Sequence, residues 1–286
     1  MKKALSIAGS DCSGGAGIQA DIKTMSANGV YAMSVISALT AQNTTGIFDV
    51  VEVSAEFMEE QMDAVFQDIF PDAVKLGMLP NDEIMKIVAG KLIEYRAKNI
   101  VIDPVMISSS GTRLMKDEAF KYIQEELFPI ARVITPNIPE TEALTGETIT
   151  CLEDMILVGR KLYNTIATGK NELVKKLLTE PEGANQHEII EMYKVDTGVL
   201  VKGGHSIEGA NDVLVTKNKE IVFQGEKIDN PNTHGTGCTL SSAIASNLAK
   251  DYDIEQAVQE AKNYLTKIIK AGLNLGKGSG PLNHFI

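Results

Sequence analysis

Residues 3–17 read KALSIAGSDCSGGAG, and the prediction of the fold starts from this stretch. Lys3–Ala8 is a short, mostly apolar run of the kind that forms a buried strand. Glycine and small polar residues follow it as far as Gly17, and a segment with helical spacing comes next. A strand that leads through a Gly-rich turn into a helix is typical of the first unit of an α/β domain.

The same alternation of short branched runs and longer amphipathic segments continues along the chain. It predicts a mostly parallel sheet with helices on both faces, because parallel strands need crossover connections that cover the sheet. Ligands of such sheets bind beyond the carboxyl ends of the strands. Seven further strands are predicted, at Ala32–Leu39, Ala73–Leu76, Asn99–Ile102, Arg132–Thr135, Gly198–Val201, Asp212–Val215 and Ile221–Phe223.

No linker divides the sequence, so we expect one domain over residues 1–286. Residues 152–197, between the fifth and sixth predicted strands, are longer than the dozen or so residues that a crossover requires. Within them, Leu152–Ile166 and Glu172–Leu178 have helical spacing, and a polar Pro-Gly stretch follows at residues 181–186. This region is predicted to be an extra helical hairpin or an insertion.

Composition and charge limit the classes of function. The chain is 44% hydrophobic and 23% charged, which excludes collagen-like, disordered and low-complexity proteins. Its net charge of −11 repels nucleic acid and anionic lipid, so neither is expected as a general partner. Three cysteines without a CxxC pair favour a reducing compartment. No run is long enough for a signal-peptide core or a membrane span, so we expect a soluble, cytoplasmic protein.

The Gly-rich loop at residues 9–17 allows several interpretations. It is not a P-loop, because no Gly-Lys-Ser/Thr follows at the required place. Residues 15–20 match a dinucleotide fingerprint, but no Asp or Glu for the ribose occurs between Ile22 and Phe48. Two interpretations stay open: a tight strand-to-helix turn, or the floor of a small-molecule site to which Asp21 adds a carboxylate.

A second Gly-rich loop, residues 232–241 (NTHGTGCTLS), precedes a segment of helical spacing. Small residues before a helix leave successive backbone N–H groups exposed at the positive end of the helix dipole, which predicts an anion hole. Cys238 would stand at this end, where the pKa of a thiol is lowered. It is then a candidate base for a hydroxyl that attacks a phosphoryl group, with Gly235–Gly237 stabilising the developing charge. The alternative is a glycine cap beside a buried cysteine.

Further polar residues follow other predicted strands. Asn137 and Glu140 are spaced to share the first turn of a helix, where they could hold hydrated magnesium or simply cap the helix. Asp103 ends the fourth predicted strand, at the edge where ligands bind. Lys75 and Lys202 each stand close to glycine after a strand and could meet nucleotide phosphates or lie on the surface.

Together these motifs resemble the hydroxymethylpyrimidine/phosphomethylpyrimidine kinases of thiamine biosynthesis, which belong to the ribokinase-like superfamily. The resemblance implies a three-layer α/β/α sandwich that transfers the γ-phosphoryl group of ATP, with Mg²⁺, to a CH₂OH group of a small pyrimidine. We also expect a homo-oligomer, most simply a dimer. The resemblance runs in order from residue 4 and rests on residues 7–21, 41–44 (AQNT), 75–78 (KLGM), 103–106 (DPVM), 135–140 (TPNIPE), 202–205 (KGGH), 234–238 (HGTGC) and 278–284 (GSGPLNH).

The resemblance also implies roles for individual residues. Cys238 occupies the place where ribokinase-like enzymes commonly carry an aspartate base, and Gln42 should hydrogen-bond the aminopyrimidine edge. The other implied positions are Gly235, Thr236 and Gly237 in the catalytic loop; Asp21, Gly9 and Met78 at the substrate; Lys202, Asn137 and Thr135 at ATP; and Glu140 and Asp103 at the metal.

Two alternatives remain at this point. A pyridoxal or pyridoxine kinase of vitamin B6 salvage would act on a similar flat ring with a CH₂OH group. Related pyridoxal kinases tend to carry a second cysteine after the segment that matches Asp103–Met106, whereas this chain reads ISSSG at residues 107–111, which favours the pyrimidine. A degenerate kinase that only binds a vitamin is the other alternative, but Gly235, Gly237 and Cys238 argue against it.

Overall fold

The computed structural model describes residues 1–106, 121–179, 193, 195–204 and 209–286. Three parts of the sequence discussed above lie outside these described residues: residues 107–111, residues 181–186 and His205. Within these described ranges, the sheet has nine strands in the order β3-β2-β1-β4-β5-β6-β7-β8-β9. Their bounds are β1 Lys3–Asp11, β2 Tyr31–Asn43, β3 Gly46–Glu52, β4 Ala73–Leu76, β5 Ile100–Ile102, β6 Val133–Ile134, β7 Gly198–Val201, β8 Asp212–Val215 and β9 Glu220–Phe223.

The predicted class, a three-layer α/β/α sandwich on a mostly parallel sheet, is confirmed. Strands β2, β1, β4, β5, β6 and β7 pair in parallel, and only the outer pairings β2–β3, β7–β8 and β8–β9 are antiparallel. The α-helices are α1 Gly17–Ala27, α2 Ala55–Asp68, α3 Asp82–Glu94, α4 Ile138–Thr145, α5 Leu152–Thr179, α6 Thr236–Ala249 and α7 Ile254–Ala271. A π-helical turn, Ile123–Leu127, and a 3₁₀ turn, Phe128–Ile130, precede β6.

Two hydrophobic cores cover the two faces of the sheet. Alternation along β5 shows the division: Ile100 and Ile102 pack into one core and Val101 into the other, because successive side chains of a strand point to opposite faces. Buried residues of α2, α3 and α5 complete the first core. Buried residues of α1, α6 and α7 complete the second. The chain therefore has helices on both sides, and its carboxyl strand ends converge on one edge.

Strand β3 was not predicted. It forms a hairpin with β2 at the edge of the sheet. Most of its residues are exposed, so buried and exposed residues do not alternate along this strand. A period-2 pattern arises only where one face is buried. The turn is held by Asn43, whose side-chain oxygen accepts hydrogen bonds from the backbone N–H and the hydroxyl of Thr45 at 2.9 and 2.7 Å.

The two helices predicted within residues 152–179 are one continuous helix, α5. Gly169 lies in its interior, and glycine is a poor residue there when a helix is exposed. Here a Cβ at Gly169 would lie 3.3 Å from Cγ of Pro129, so the glycine allows close packing on the 3₁₀ turn. The hairpin prediction was wrong for this part of the segment, whereas the insertion and the single-domain extent stay predictions. None of the helices in the described ranges combines the length and apolar character needed to cross a membrane.

Candidate active site

A cavity of about 1260 Å³ opens where the carboxyl ends of the parallel strands converge. This is the edge of the sheet where α/β proteins bind ligands. The carboxyl ends of β1, β2, β4, β5, β6 and β7, or the residues just after them, line it together with the first turn of α6. Residues 225–231 and one side of α7 also line it. Of the predicted site residues, those that line it are Gly9, Gln42, Met78, Asp103, Asn137, Glu140, Lys202, Gly235, Thr236, Gly237 and Cys238.

The two Gly-rich loops, distant in sequence, pack backbone against backbone in the floor of this cavity. Gly17 and Gly235 have positive φ angles of 55° and 83°, which favour glycine. A Cβ on Gly235 would collide with the carbonyl oxygen of Gly15, and one on Gly15 would collide with the ring of His234. The first loop is thus both a strand-to-helix turn and part of a site, so the two interpretations left open above are compatible.

A buried contact between a histidine and a carboxylate joins the two loops. Nε2 of His234 lies 2.9 Å from Oδ2 of Asp11, which also accepts the backbone N–H groups of Gly15 and Ala16 at 3.1 and 2.9 Å. Burial opposes ionisation of Asp11, but hydrogen bonds from His234 and Ser13 outweigh it and lower the pKa of Asp11 to about 2. The carboxylate therefore stays charged and keeps the loops together.

The surroundings of Cys238 correct one prediction. It lies in the first turn of α6 and lines the cavity, as expected. However, desolvation raises the pKa of the Cys238 thiol to about 11, although Lys75 and the backbone N–H of Gly17 act in the opposite direction. The helix N-terminus was expected to lower this pKa, but withdrawal of the thiolate from water is the larger effect. In the unliganded protein the group is a thiol at neutral pH.

Asp103 and Lys202 form an ion pair beside the second Gly-rich loop. Nζ of Lys202 lies 2.7 Å from Oδ1 of Asp103; Asp103 is almost completely buried, and the Lys202 side chain is 13% exposed. Burial disfavours both charges, but their mutual attraction holds the pKa of Asp103 low and that of Lys202 high. A Cβ on Gly237 would lie 3.4 Å from both Oδ2 of Asp103 and Nζ of Lys202. Lys202 is therefore a cavity residue, and the surface alternative is excluded.

Thr135 and Asp21 differ from the other predicted site residues. Both are fully buried and neither lines the cavity. Thr135 donates its hydroxyl to Oδ1 of Asp103 at 3.1 Å, so it supports the wall behind the carboxylate rather than facing a nucleotide. Asp21 forms an ion pair with Lys75 at 2.8 Å instead of reaching the cavity. The direct contact with ligand that was expected for both residues stays a prediction, and the burial of these residues does not support it.

Asn137 and Glu140 form a capping box at the start of α4. Oδ1 of Asn137 accepts the N–H of Glu140 at 2.8 Å, and Oε2 of Glu140 accepts the N–H of Asn137 at 2.7 Å. Both residues also line the cavity, so the cap is compatible with ligand binding, which stays a prediction. Burial, reinforced by Asp103 and opposed by Lys202, raises the pKa of Glu140 to about 7.

The donor set suits magnesium bound through substrate. Among the described residues, no group of three His, Cys, Asp or Glu side chains is placed to hold a metal on its own. Mg²⁺ usually keeps several waters and binds one or two carboxylates together with substrate phosphates. Asp103 and Glu140 supply two such carboxylates in one cavity. The residues therefore fit a hydrated ion that arrives with a nucleotide.

Gly9, Met78 and Gln42, the residues predicted to bind the ring, also line the cavity. A Cβ on Gly9 would lie 3.3 Å from Sδ of Met78, so backbone takes the place of a side chain there. The amide of Gln42 lies 3.1 Å from Oγ1 of Thr40 and 3.3 Å from Nε2 of His234. These contacts fix the amide plane, which allows Gln42 to recognise a ring edge by hydrogen bonds.

Sequence reasoning missed several lining residues. Asp11 and His234 were not recognised as partners because 223 positions separate them. The segment Gly225–Pro231 and the cavity-facing side of α7 carry no motif of their own. Lys262 on α7 donates to Oδ2 of Asp212 at 2.6 Å and to the carbonyl of Ala210 at 2.8 Å. A lysine on the apolar face of an amphipathic helix was the available signal.

Comparisons with known proteins identify the family to which this chain belongs. A family model described as phosphomethylpyrimidine kinase matches residues 11–176 and 170–283. The chain is 41% identical over 285 residues to the hydroxymethylpyrimidine/phosphomethylpyrimidine kinase of Bacillus subtilis strain 168, covering 99% of this chain and 94% of that protein. It is also 41% identical over 283 residues to a thiamine biosynthesis bifunctional protein of Geobacter sulfurreducens. That match covers 99% of this chain and 52% of the relative, so this chain spans about half of it.

Solved structures with the same fold include phosphomethylpyrimidine kinases and pyridoxal kinases. The phosphomethylpyrimidine kinase of Clostridium difficile 630 matches with a TM-score of 0.75 and 43% identity over 93% of this chain and 99% of that one. The pyridoxal kinase of Bacillus subtilis, solved with ADP, matches with a TM-score of 0.80 and 33% identity over 99% and 97%. Sequence identity is therefore higher to the phosphomethylpyrimidine kinase, at 43%, than to the pyridoxal kinase, at 33%. The family model covers nearly all of the sequence. This chain belongs to the phosphomethylpyrimidine kinase family.

Proposed function

We propose that this protein transfers the γ-phosphoryl group of ATP to 4-amino-5-hydroxymethyl-2-methylpyrimidine, and then to the monophosphate, giving the pyrophosphate used in thiamine biosynthesis. One observation carries the proposal: a single cavity is lined by Gln42, by a thiol at a helix N-terminus and by the Asp103–Lys202 pair. Relatives named as kinases of both substrates match over nearly the whole chain.

The chemistry requires a base, a charge-stabilising loop and alignment. With the ring on Gly9, Met78 and Gln42, the CH₂OH oxygen faces Cys238. The hydroxyl proton passes to Sγ of Cys238 in its thiolate form while the oxygen attacks the γ-phosphorus. The bond from the γ-phosphorus to the bridging oxygen breaks, and its electron pair leaves with ADP. Backbone N–H groups at the start of α6 then stabilise the charge on the transferring group.

ATP would occupy the end of the cavity beside α7. Two similar pyridoxal kinase structures contain ADP, and another contains AMP-PCP. Lys202 is suited to the phosphates because its ammonium is buried and held in place by Asp103. Asn137, Glu140 and Asp103 are the residues that would hold Mg²⁺, with Thr135 supporting Asp103. When bound, the ion neutralises charge on the β- and γ-phosphates.

Phosphorylation of pyridoxal is the second candidate, and a specific observation favours it. Pyridoxal kinases of Staphylococcus aureus match with TM-scores of 0.79–0.81 at 27–29% identity. We expect kcat/KM for hydroxymethylpyrimidine to exceed that for pyridoxal at least about tenfold, the discrimination that one or two ring contacts provide. Both substrates should be assayed with ATP and magnesium on one preparation. A preference for pyridoxal would contradict the proposed substrate and assign the protein to vitamin B6 salvage.

We further propose a homodimer formed through the β2–β3 hairpin. Phe48 and Val51 on β3 and Leu39 on β2 are 69%, 60% and 51% exposed, and β3 is an open edge strand. Exposed apolar edges of this kind favour pairing with another chain. Phe48→Glu should convert a dimer into a monomer in light scattering, whereas Phe285→Glu, at an 83% exposed position near the C-terminus, should not. A wild-type monomer, or a dimeric Phe48→Glu variant, would contradict this interface.

A cytoplasmic location is proposed as well. Cys12, Cys151 and Cys238 are all free thiols, and the mechanism needs Cys238 reduced. Reducing compartments preserve such thiols.

A further inference from the structure

The side-chain amide of Gln42 has a polar neighbour at each of its two ends. Oε1 of Gln42 lies 3.1 Å from Oγ1 of Thr40, and Nε2 lies 3.3 Å from Nε2 of His234. The backbone is held as well, because Sγ of Cys12 lies 3.1 Å from the carbonyl oxygen and 3.3 Å from the backbone nitrogen of Gln42. The amide therefore has a fixed place in the cavity wall, and the chemistry of its neighbours assigns its two ends.

Nε2 of His234 is a hydrogen-bond donor. It lies 2.9 Å from Oδ2 of Asp11, which also accepts two backbone N–H groups of the first Gly-rich loop. Oδ1 of Asp11 accepts the backbone N–H and the hydroxyl of Ser13. A carboxylate among donors only accepts, so the hydrogen of the contact with His234 belongs to Nε2. A ring nitrogen that carries hydrogen has no lone pair to offer, and the amide end beside it has to be the acceptor.

The contact with Thr40 leads to the same assignment. Oγ1 of Thr40 lies 2.9 Å from the carbonyl oxygen of Ser10, which can only accept. A hydroxyl has one hydrogen, and Thr40 donates it to Ser10, so Oγ1 meets Gln42 with a lone pair. The amide end beside Thr40 is then the NH₂ group. The two ends of an amide have the same shape, and a half-turn that exchanges Oε1 and Nε2 satisfies both contacts at once.

Packing keeps the ring of His234 in place. A Cβ on Gly15 would collide with Cδ2 of this ring and lie 3.1 Å from Nε2, so the ring rests directly on glycine backbone. The backbone N–H of His234 is donated to the carbonyl of Gly280 at 3.1 Å, and the residue is 5% exposed. The donor that faces Gln42 therefore belongs to the close contact between the two Gly-rich loops.

We propose that Thr40 and His234 are positioning residues that hold the Gln42 amide in one of its two orientations and so select the substrate by the edge of its ring. An amide has two N–H groups, and its oxygen has two lone pairs. One of each is used on Thr40 and His234, which leaves one N–H and one lone pair for a ligand. The proposal rests on the function proposed above, in which the ring binds at Gln42.

The fixed orientation distinguishes the two candidate substrates. In the pyrimidine, the carbon next to the one that bears CH₂OH carries an amino group, which donates, and a ring nitrogen that accepts lies beside it. An amide that offers one lone pair and one N–H matches this edge. In pyridoxal the corresponding carbon carries an aldehyde, which only accepts, so the amide would have to turn over to pair with it. Thr40 and His234 oppose that turn.

Replacing Thr40 with valine tests the proposal, because valine has nearly the shape of threonine but cannot accept from Gln42. We expect KM for the pyrimidine to rise at least about tenfold, the upper range for one hydrogen bond, with kcat within about threefold. The preference in kcat/KM for the pyrimidine over pyridoxal should also fall at least about tenfold. Thr40→Ser keeps the hydroxyl and should stay within about threefold of the wild type in each quantity.

Thr24→Val is the matched control. The hydroxyl of Thr24 on α1 is likewise buried and donates to a backbone carbonyl, that of Ala20 at 2.7 Å, but the residue does not line the cavity. KM and substrate preference should therefore stay unchanged in this variant. In a Gln42→Ala background, Thr40→Val should have no further effect on either quantity, because effects that pass through one residue are not additive.

The outcomes separate this proposal from the proposed function. A wild type that prefers pyridoxal would overturn the proposed function and this proposal with it. With a wild type that prefers the pyrimidine, an unchanged KM in Thr40→Val, or additive effects with Gln42→Ala, would overturn the positioning roles alone. Nitrogen NMR of the wild type tests His234 without substrate: Nε2 should carry hydrogen at pH 8, its signal being identified by its loss in His234→Gln. An Nε2 without hydrogen would overturn the proposal even if Thr40→Val failed to fold.

Discussion

Replacing Cys238 with alanine should lower kcat by about 10²–10⁴, the usual contribution of a general base. The side chain lines the same cavity as Gln42, at the start of α6. Other residues are proposed to hold the ring, so KM for the pyrimidine should change by only a few fold. Cys238→Asp should retain more activity than Cys238→Ala, because a carboxylate can also accept the proton.

The measurement is steady-state turnover of purified variants with saturating ATP and magnesium. Cys151→Ala is the matched control, because Cys151 is a free cysteine outside the cavity and should leave kcat unchanged. Undiminished turnover by Cys238→Ala would remove this residue from the mechanism.

The same base predicts a dependence on pH. Because the pKa of the Cys238 thiol is about 11 in the unliganded protein, the thiolate is a minor species at pH 7. Its fraction grows as the pH rises toward that value, so kcat/KM of the wild type should increase between about pH 7 and 9. The residual activity of Cys238→Ala should lack this increase.

Replacing Gly235 with alanine should damage both the fold and the turnover. A side chain in the left-handed region costs roughly 1–2 kcal/mol, and Gly235 has a φ of 83°. In addition, the new Cβ would collide with the carbonyl of Gly15, which forces the two Gly-rich loops apart. The N–H groups at the start of α6 would then lose their alignment, and we expect kcat to fall by about 10²–10³.

Gly29→Ala provides the matched control for this prediction. Gly29 has a similar φ of 73°, but a Cβ there would meet nothing within 4 Å. Denaturant unfolding should show the cost of the backbone conformation in both variants and a further loss only in Gly235→Ala. Kinetics should show reduced kcat only in Gly235→Ala. Equal kinetics in the two variants would mean that the contact between the loops does not align the site.

The central part of the fold was predictable because its signals are local. Strands such as Ala73–Leu76 and Gly198–Val201 are buried on both faces, and they read as short apolar runs bounded by turns. Strand β3 was missed because it is an exposed edge whose sequence carries no burial pattern. The sequence did not predict that α5 continues through Gly169. The reason is that the close packing of Gly169 on Pro129, which makes glycine suitable at this position, is a tertiary contact.

The site shows the same division. Local sequence was enough to predict which strand ends carry glycine, carboxylate and lysine, because residues that follow parallel strands meet at one edge of the sheet. It also placed the thiol at the start of a helix. Which of these residues face the cavity depends on tertiary packing. It places Asp21 behind Lys75, joins Asp11 to His234 across 223 positions and raises the pKa of Cys238. Burial and charge pairing are properties of the assembled environment, and no local spacing specifies them.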